Sequence, residues 1–233
     1  MVDKEIVAAL KAPLHSIGTL VSVSVLYVLS MLFYTDMVYA GPAATFFAMN
    51  NSALVQVVFL ILSVLAFVFM LGCFSRIAER LGKNETRGFF WRLFSGIRLL
   101  GILVIVSVVY SLLLFVPGAG ILLLLYDLLL VLFLPAMLIR AAVLDSFSAG
   151  FHLPTIARLV FNKKYLQRLG ISVAIVIVYS LITTGISQGL LLLSEPGVLF
   201  YVLEGVSILA YVFLLAAAIV TVIGLLVPVV GKK

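Results

Sequence analysis

The chain has 233 residues, of which 65% are hydrophobic and only 10% are charged, and its mean hydropathy is +1.35. Soluble domains carry about 25% charged residues because their surfaces face water, so this composition excludes an ordinary soluble protein. The single Cys73 excludes a disulfide framework within the chain, and the high apolar content excludes a disordered protein. The composition therefore predicts an integral membrane protein.

Six apolar runs are long enough to cross the hydrocarbon core of a bilayer, which takes about 20 residues of α-helix. They predict transmembrane helices near residues 16–38, 53–75, 99–117, 119–140, 169–191 and 198–229. A short amphipathic segment, residues 1–15, precedes the first run. We therefore expect an all-α, polytopic membrane protein with a single six-helix transmembrane domain over residues 1–233.

The 15 Lys and Arg residues all fall on one side of this arrangement, the side that carries both termini. The connections on the opposite side, residues 35–52, 117–120 and 192–197, contain none. Because positively charged loops are retained in the cytoplasm, we predict a multi-pass protein of the cell membrane with both termini cytoplasmic. No separate basic domain is present, so the net charge of +6 does not predict nucleic-acid binding.

Two basic loop segments have the amphipathic pattern of helices that lie on a membrane surface. Residues 87–98 repeat large apolar side chains every three or four positions among arginines. Residues 154–168 begin with Pro154, which favours the first turn of a helix, and alternate apolar and basic side chains. We predict that both segments are cytoplasmic interfacial helices. The side chains expected to contact anionic lipid headgroups or partner subunits are Arg76, Arg80, Lys83, Arg87, Arg92, Lys163 and Lys164.

A tandem repeat relates two of the predicted spans. Residues 100–112 and 169–181 align without a gap, and eight of the thirteen positions are identical. A shared Gly and a shared Tyr-Ser pair are the most specific matches. Both copies run in the same direction, so we predict a parallel helical-hairpin repeat rather than the inverted repeat of many secondary transporters.

The fourth span and the loop that follows it resemble a known family. The Pro135-Ala136 pair, residues 147–151 and residues 156–166 are similar to those of a prokaryotic, largely archaeal, six-helix membrane family of unknown function. That family in turn resembles the membrane domains attached to some glycerophosphodiesterases. The resemblance covers residues 55–230 and implies a fold without chemistry, because it supplies no catalytic residues.

Two acids lie inside predicted spans, where hydrocarbon cannot solvate a charge. Asp127 and Glu204 are seven or eight residues from the outer ends of their helices, which places them about 10–12 Å deep. We hypothesise that they form an intramembrane polar cluster, a candidate ion or substrate site, with Tyr110, Ser111, Thr184 and Gln188. The alternative is that each acid only joins one helix pair by a hydrogen bond.

The sequence carries no recognisable catalytic motif. His15 and His152 lack a second ligand at metal-binding spacing, so we predict neither a metal nor a cofactor. With loops this short, function has to lie in the bilayer or at its cytoplasmic face. Our first expectation is a protein without catalytic activity, an accessory or scaffold subunit of a membrane assembly that contacts lipids and other subunits. The alternative is a small transporter or channel for an ion or lipid-like substrate that uses Asp127 and Glu204.

Overall fold

A computed structural model describes residues 4–38, 53–83, 89–193 and 198–231. Its α-helices are α1 (Lys4–His15), α2 (Ile17–Val38), α3 (Ala53–Lys83), α4 (Phe89–Leu114), α5 (Gly120–Leu144), α6 (Leu153–Val160), α7 (Lys163–Leu193) and α8 (Val198–Val230). A short 3-10 helix, Ser148–Phe151, lies between α5 and α6. No β-strand occurs in these ranges, so the prediction of an all-α protein is confirmed.

Five helices of the described chain are long and apolar enough to cross a membrane. The candidate spans are Leu60–Leu81, Trp91–Leu114, Gly120–Leu144, Lys163–Gly185 and Ala210–Val230. Helices α1 and α2 meet at a bend of 63° and pass the same test only as a pair. The described residues therefore have the architecture of a multi-pass membrane protein with five spans, or six if the bent pair is one span.

The helices reach further toward the basic loops than the sequence predicts. Helix α4 begins at Phe89, so most of the segment predicted as a separate interfacial helix is the first part of a long helix. No proline interrupts that segment, and Gly96 within it packs directly on α3. In the second loop, the helix predicted after Pro154 is present as α6, but the residues from Lys163 onward belong to α7.

The centre of the bundle is formed by α8 and α3. In the most apolar stretch of each candidate span, 61% of α8 and 50% of α3 are buried inside the bundle. The corresponding share is 11% for α4 and for α5. Helix α8 contacts α1, α2, α3, α5 and α7, which makes it the most central element. The buried side chains concentrate at the end that carries the basic residues, chiefly in residues 66–79, 136–143 and 216–230. We call this the basic end. At the opposite end, α4, α5 and α7 expose apolar side chains.

Two glycines bring the backbones of α3 and α4 into direct contact. A Cβ atom at Gly72 would lie 2.1 Å from the carbonyl oxygen of Arg92, and one at Gly96 would lie 2.0 Å from that of Val68. A side chain fits at such distances only if the two backbones move apart, so glycine permits the close crossing at both positions. Small residues at helix crossings are the usual means of close packing in membranes. The crossing fixes Arg92 beside the basic end of α3.

Helix α1 lies across α8 and is attached at two points. A Cβ atom at Gly224 would lie 3.2 Å from Ala9, so the two helices touch through small residues. Arg168 of α7 forms an ion pair with Glu5 of α1. The same guanidinium donates a hydrogen bond to the Leu225 carbonyl oxygen at 3.0 Å. These contacts attach α1 to the hairpin of α7 and α8.

The residue that caps the C-terminus of α5 has a left-handed backbone conformation. Asp145 has φ of 55° and ψ of 38°, a conformation that Asp and Asn adopt more readily than other side chains, and its N–H donates to the carbonyls of Ala141 and Ala142. Arg98 of α4 forms an ion pair with the Asp145 carboxylate and donates to its carbonyl oxygen at 2.9 Å. This cap joins α4 to α5 at the basic end.

Replacing Gly96 with alanine should lower the free energy of unfolding by about 1–3 kcal/mol, because the new Cβ would collide with the Val68 carbonyl. Thermal unfolding of the purified protein in detergent, followed by circular dichroism, measures the change. Gly170→Ala is the matched control, since nothing lies within 4 Å of the added Cβ and alanine favours helix. Equal unfolding temperatures for the two variants would contradict the close crossing.

Replacing Arg168 with glutamine should release α1 from α7 and α8, because the ion pair to Glu5 and the bond to Leu225 are both lost. Hydrogen bonds from a charged group contribute about 1.5–3 kcal/mol, so amide exchange in α1 should accelerate about tenfold or more. Hydrogen–deuterium exchange mass spectrometry measures this rate. Arg158→Gln, at an exposed position on α6, serves as the control. Unchanged exchange in α1 of the Arg168 variant would show that α1 is held by other contacts.

Candidate functional site

Two adjoining cavities open beside the bend between α1 and α2. The larger, of about 580 Å³, lies between α1, α2 and α3, and the smaller, of about 380 Å³, extends toward α4. Both are lined by His15, Ser16, Thr19 and Arg76. Because they share these residues, we treat them as one site and call it the basic cavity.

The lining of the basic cavity combines positive charge with hydroxyl groups. Its basic side chains are Lys11, His15, Arg76, Arg80 and Arg92, and none of the lining residues that the structure describes is an acid. The Arg76 and Arg92 side chains are half-buried, whereas the other three are exposed. Three helices, α1, α3 and α4, therefore contribute basic side chains to one space.

The bend that creates the cavity follows from the residues at the junction of α1 and α2. Pro13 lies in the last turn of α1, and its carbonyl accepts a hydrogen bond from the Ser16 N–H at 3.0 Å. The Ser16 carbonyl then accepts from the Leu20 N–H at 2.9 Å, so a new helix starts within one turn. The N-terminus of α2 consequently lies in the cavity lining, where the positive end of its dipole favours an anion.

Glu79 lies between Arg76 and Arg80 along α3 and contacts α4. The Glu79 carboxylate is buried and accepts a hydrogen bond from the Ser95 hydroxyl of α4 at 3.5 Å. It is not a lining residue of the basic cavity. The described lining of the cavity therefore places no acid beside Arg76 and Arg80.

The structure brings together three of the residues predicted to contact anionic lipid, namely Arg76, Arg80 and Arg92. Lys163 and Lys164 are exposed at the start of α7, where Lys164 lines a separate cavity with Arg168 and Glu5. The side chain of Lys83 and all of Arg87 lie outside the described residues. Three of the seven predicted contact residues therefore line the basic cavity.

The contribution of α1 and of the start of α2 to the basic cavity is not evident from the sequence. Lys11, His15, Ser16 and Thr19 line the cavity, yet in the sequence they precede or begin an apolar run. The available signal was Pro13 followed by the polar His15-Ser16 pair, which marks an interruption between an amphipathic helix and an apolar one.

The predicted intramembrane polar residues are distributed over separate surfaces. Asp127 is exposed on α5, and Thr184 and Gln188 are exposed on α7. No hydrogen bond or ion pair joins Asp127 to another residue that the structure describes. The side chain of Glu204 lies outside the described residues.

The aromatic neighbours of Asp127 have their own contacts. The ring of Tyr110 lies 6.0 Å from that of Tyr126, centroid to centroid, and connects α4 with α5. The Tyr126 hydroxyl donates to the Val106 carbonyl at 2.8 Å. Ser111 is exposed on α4. Tyr110 and Tyr126 therefore join the α4–α5 hairpin and leave Asp127 on its surface.

Among the described residues, no group of three or more His, Cys, Asp or Glu side chains could hold a metal ion.

Comparisons with protein-family models, with curated proteins and with solved structures find no match to the chain. The resemblance to a six-helix membrane family thus stays an expectation from the sequence. The basic cavity and the exposed Asp127 are the two features from which a function can be inferred.

Proposed function

We propose that the chain is a multi-pass membrane protein without catalytic activity that serves as an accessory or scaffold subunit of a membrane assembly. In this proposal, the exposed face of α5 around Asp127 binds a transmembrane helix of another subunit. The single observation that carries the proposal is the position of Asp127 on the surface of a candidate span of which only 11% is buried.

The proposed topology has six spans, with α1 and α2 crossing together as one bent span. The basic end lies in the cytoplasm, which places both termini there. Support comes from the positive-inside rule, because every Lys and Arg of the described residues belongs to that end. The hairpins α4–α5 and α7–α8 are then the two copies of the parallel repeat, and the basic end contacts anionic headgroups.

The apolar side chains next to Asp127 on α5 cannot form a hydrogen bond or an ion pair with its carboxyl group. Leu124, Leu128 and Val131 are on the neighbouring positions of α5 and are more than half exposed, at 69%, 59% and 54%. The carboxyl lies about 10 Å from the start of α5, well inside the candidate span. An aspartate inside a transmembrane helix costs up to about 2.5–3.5 kcal/mol on insertion scales, the value that applies at the helix centre.

A partner helix would remove this cost. A Lys or Arg at the same depth would neutralise the ionised carboxylate, and a hydroxyl or amide donor would bond to either protonation state. No Lys or Arg of the described chain reaches the level of Asp127, since all of them are at the basic end. Charge complementarity therefore favours a different subunit with a cationic transmembrane residue over a second copy of this chain.

The same exposure argues against the alternative function. An ion or substrate pathway needs Asp127 within an enclosed polar passage formed by several helices. The observed position, on the outside of a hairpin whose apolar side chains are exposed, favours contact between proteins instead.

Photo-crosslinking in native membranes tests the proposed docking face. A photoreactive amino acid at Leu128 should give one discrete protein adduct, and Asp127→Leu should reduce its yield about tenfold, as the loss of a charged hydrogen bond implies. The same amino acid at Val178, on the exposed face of α7, is the control and should give lipid adducts only. Mass spectrometry should locate the adduct on a transmembrane segment that carries a Lys or Arg.

A charge exchange completes the test. Asp127→Lys combined with an aspartate at the partner's cationic position should restore the crosslink that either change alone abolishes. An adduct that persists unchanged in Asp127→Leu, or that forms only with a second copy of this chain, would contradict the proposal. Lipid adducts alone at Leu128, together with Asp127-dependent ion flux in proteoliposomes, would favour the transport function.

A further inference from the structure

We infer that the basic cavity binds the phosphate group of a single anionic phospholipid, with the remainder of the lipid held against the apolar wall of the cavity. The inference goes beyond the proposed docking at Asp127 and does not depend on it, because the two features lie at different ends of the bundle.

The distribution of charge at the basic end is the first argument. Two arginines outside the cavity pair with acids, Arg98 with Asp145 and Arg168 with Glu5. Among the described residues that line the cavity, five are basic and none is an acid. Like charges within one partly enclosed space repel each other, and an anion bound between them removes this repulsion.

The kinds of donor are the second argument. The guanidinium groups of Arg76 and Arg92 come from α3 and α4, and half-burial restricts where they can point. Guanidinium groups bind phosphate oxygens through paired hydrogen bonds. The hydroxyls of Ser16 and Thr19 and the N-terminus of α2 add neutral donors on the opposite wall. Donors that converge from three helices on one space are suited to a tetrahedral anion.

The apolar part of the lining is the third argument, and it favours a lipid over a soluble anion. The larger cavity is also lined by Val7, Ala8, Ala12, Ile77 and Leu81. Free phosphate would leave this wall in contact with water, whereas the glycerol and upper acyl chains of a phospholipid would cover it. A volume of about 580 Å³ is in the range of sites that take a small ligand.

The level of the cavity along the helices agrees with the level of a lipid headgroup in a bilayer. The candidate span of α3 ends at Leu81, which is itself a lining residue together with Arg80. Lipid phosphates lie just outside the hydrocarbon core, at the level where transmembrane helices end. Arg80 of the cavity is therefore placed where a phosphate of the surrounding leaflet would be found.

Native mass spectrometry of the purified full-length protein tests the inference by titration with phosphatidic acid and with phosphatidylcholine of the same chain length. One phosphatidic acid should bind per protein at concentrations about tenfold lower than phosphatidylcholine requires. The double variant Arg76→Gln with Arg80→Gln should weaken the binding of phosphatidic acid about tenfold or more.

Two further variants make the result specific to the cavity. Arg158→Gln with Lys163→Gln removes the same charge from exposed positions that do not line the cavity, and should change binding less than about twofold. Thr19→Phe fills the cavity without changing the net charge, and should abolish the tight site. The Thr19 variant decides the question if the double arginine variant does not fold.

Three outcomes would overturn the inference. The first is equal binding of phosphatidylcholine and phosphatidic acid. The second is an equal loss in the cavity variant and the exposed variant, which would show that charge acts only through the general surface potential. The third is displacement of the lipid by millimolar inorganic phosphate, which would identify the ligand as a soluble anion.

Discussion

Hydrocarbon cannot solvate a charged side chain, and this constraint decides where each part of the bundle lies. The described Lys and Arg residues are confined to one end, and that end also holds most of the buried side chains. There the helices have to converge, because ion pairs such as Arg168 with Glu5 need partners from different helices. At the opposite end the helices need only apolar surfaces, which lipid or another protein can cover. A packed basic end and an open apolar end follow from one requirement.

The basic cavity depends on contacts made elsewhere in the bundle. The crossing of α3 and α4 through Gly72 and Gly96 places the backbone of Arg92 against α3. The attachment of α1 to α8 at Gly224 holds Lys11 and His15 on the other side of the space. Neither contact involves a ligand, yet each one positions a wall of the site. Small residues at helix crossings thus connect the packing of the bundle to the placement of its charges.

The class of fold and the location of the basic residues could be predicted from the sequence because both follow from hydropathy and charge. The contacts between helices could not. In a membrane the apolar faces of a helix are compatible with lipid as well as with a neighbouring helix, so hydropathy does not indicate which face packs. The bend at Pro13 and the cavity beside it depend on such contacts, and they were not predicted.

The two aligned segments of α4 and α7 illustrate the same limit. A Cβ atom at Gly101 would lie 3.0 Å from the Phe147 ring, whereas nothing lies within 4 Å of one at the equivalent Gly170. Likewise Ile102 is fully buried, but its counterpart Ile171 is only half-buried. The local sequences match, and their surroundings differ because the segment after α5 packs on the α4 copy, where a Cβ atom at Gly150 would lie 2.8 Å from the Ile102 side chain. Sequence identity therefore does not predict equivalent contacts for the two copies.

The central claim is that the packed basic end lies in the cytoplasm and the turn between α4 and α5 lies on the opposite side of the membrane. Labelling of single cysteines with a membrane-impermeant maleimide tests it most directly, in a Cys73→Ala background. In intact cells, Val116→Cys in that turn should react, whereas Ser148→Cys at the basic end should react only after the membrane is permeabilised. Labelling of Ser148→Cys in intact cells would contradict the topology, and with it the placement of the basic cavity at the inner leaflet.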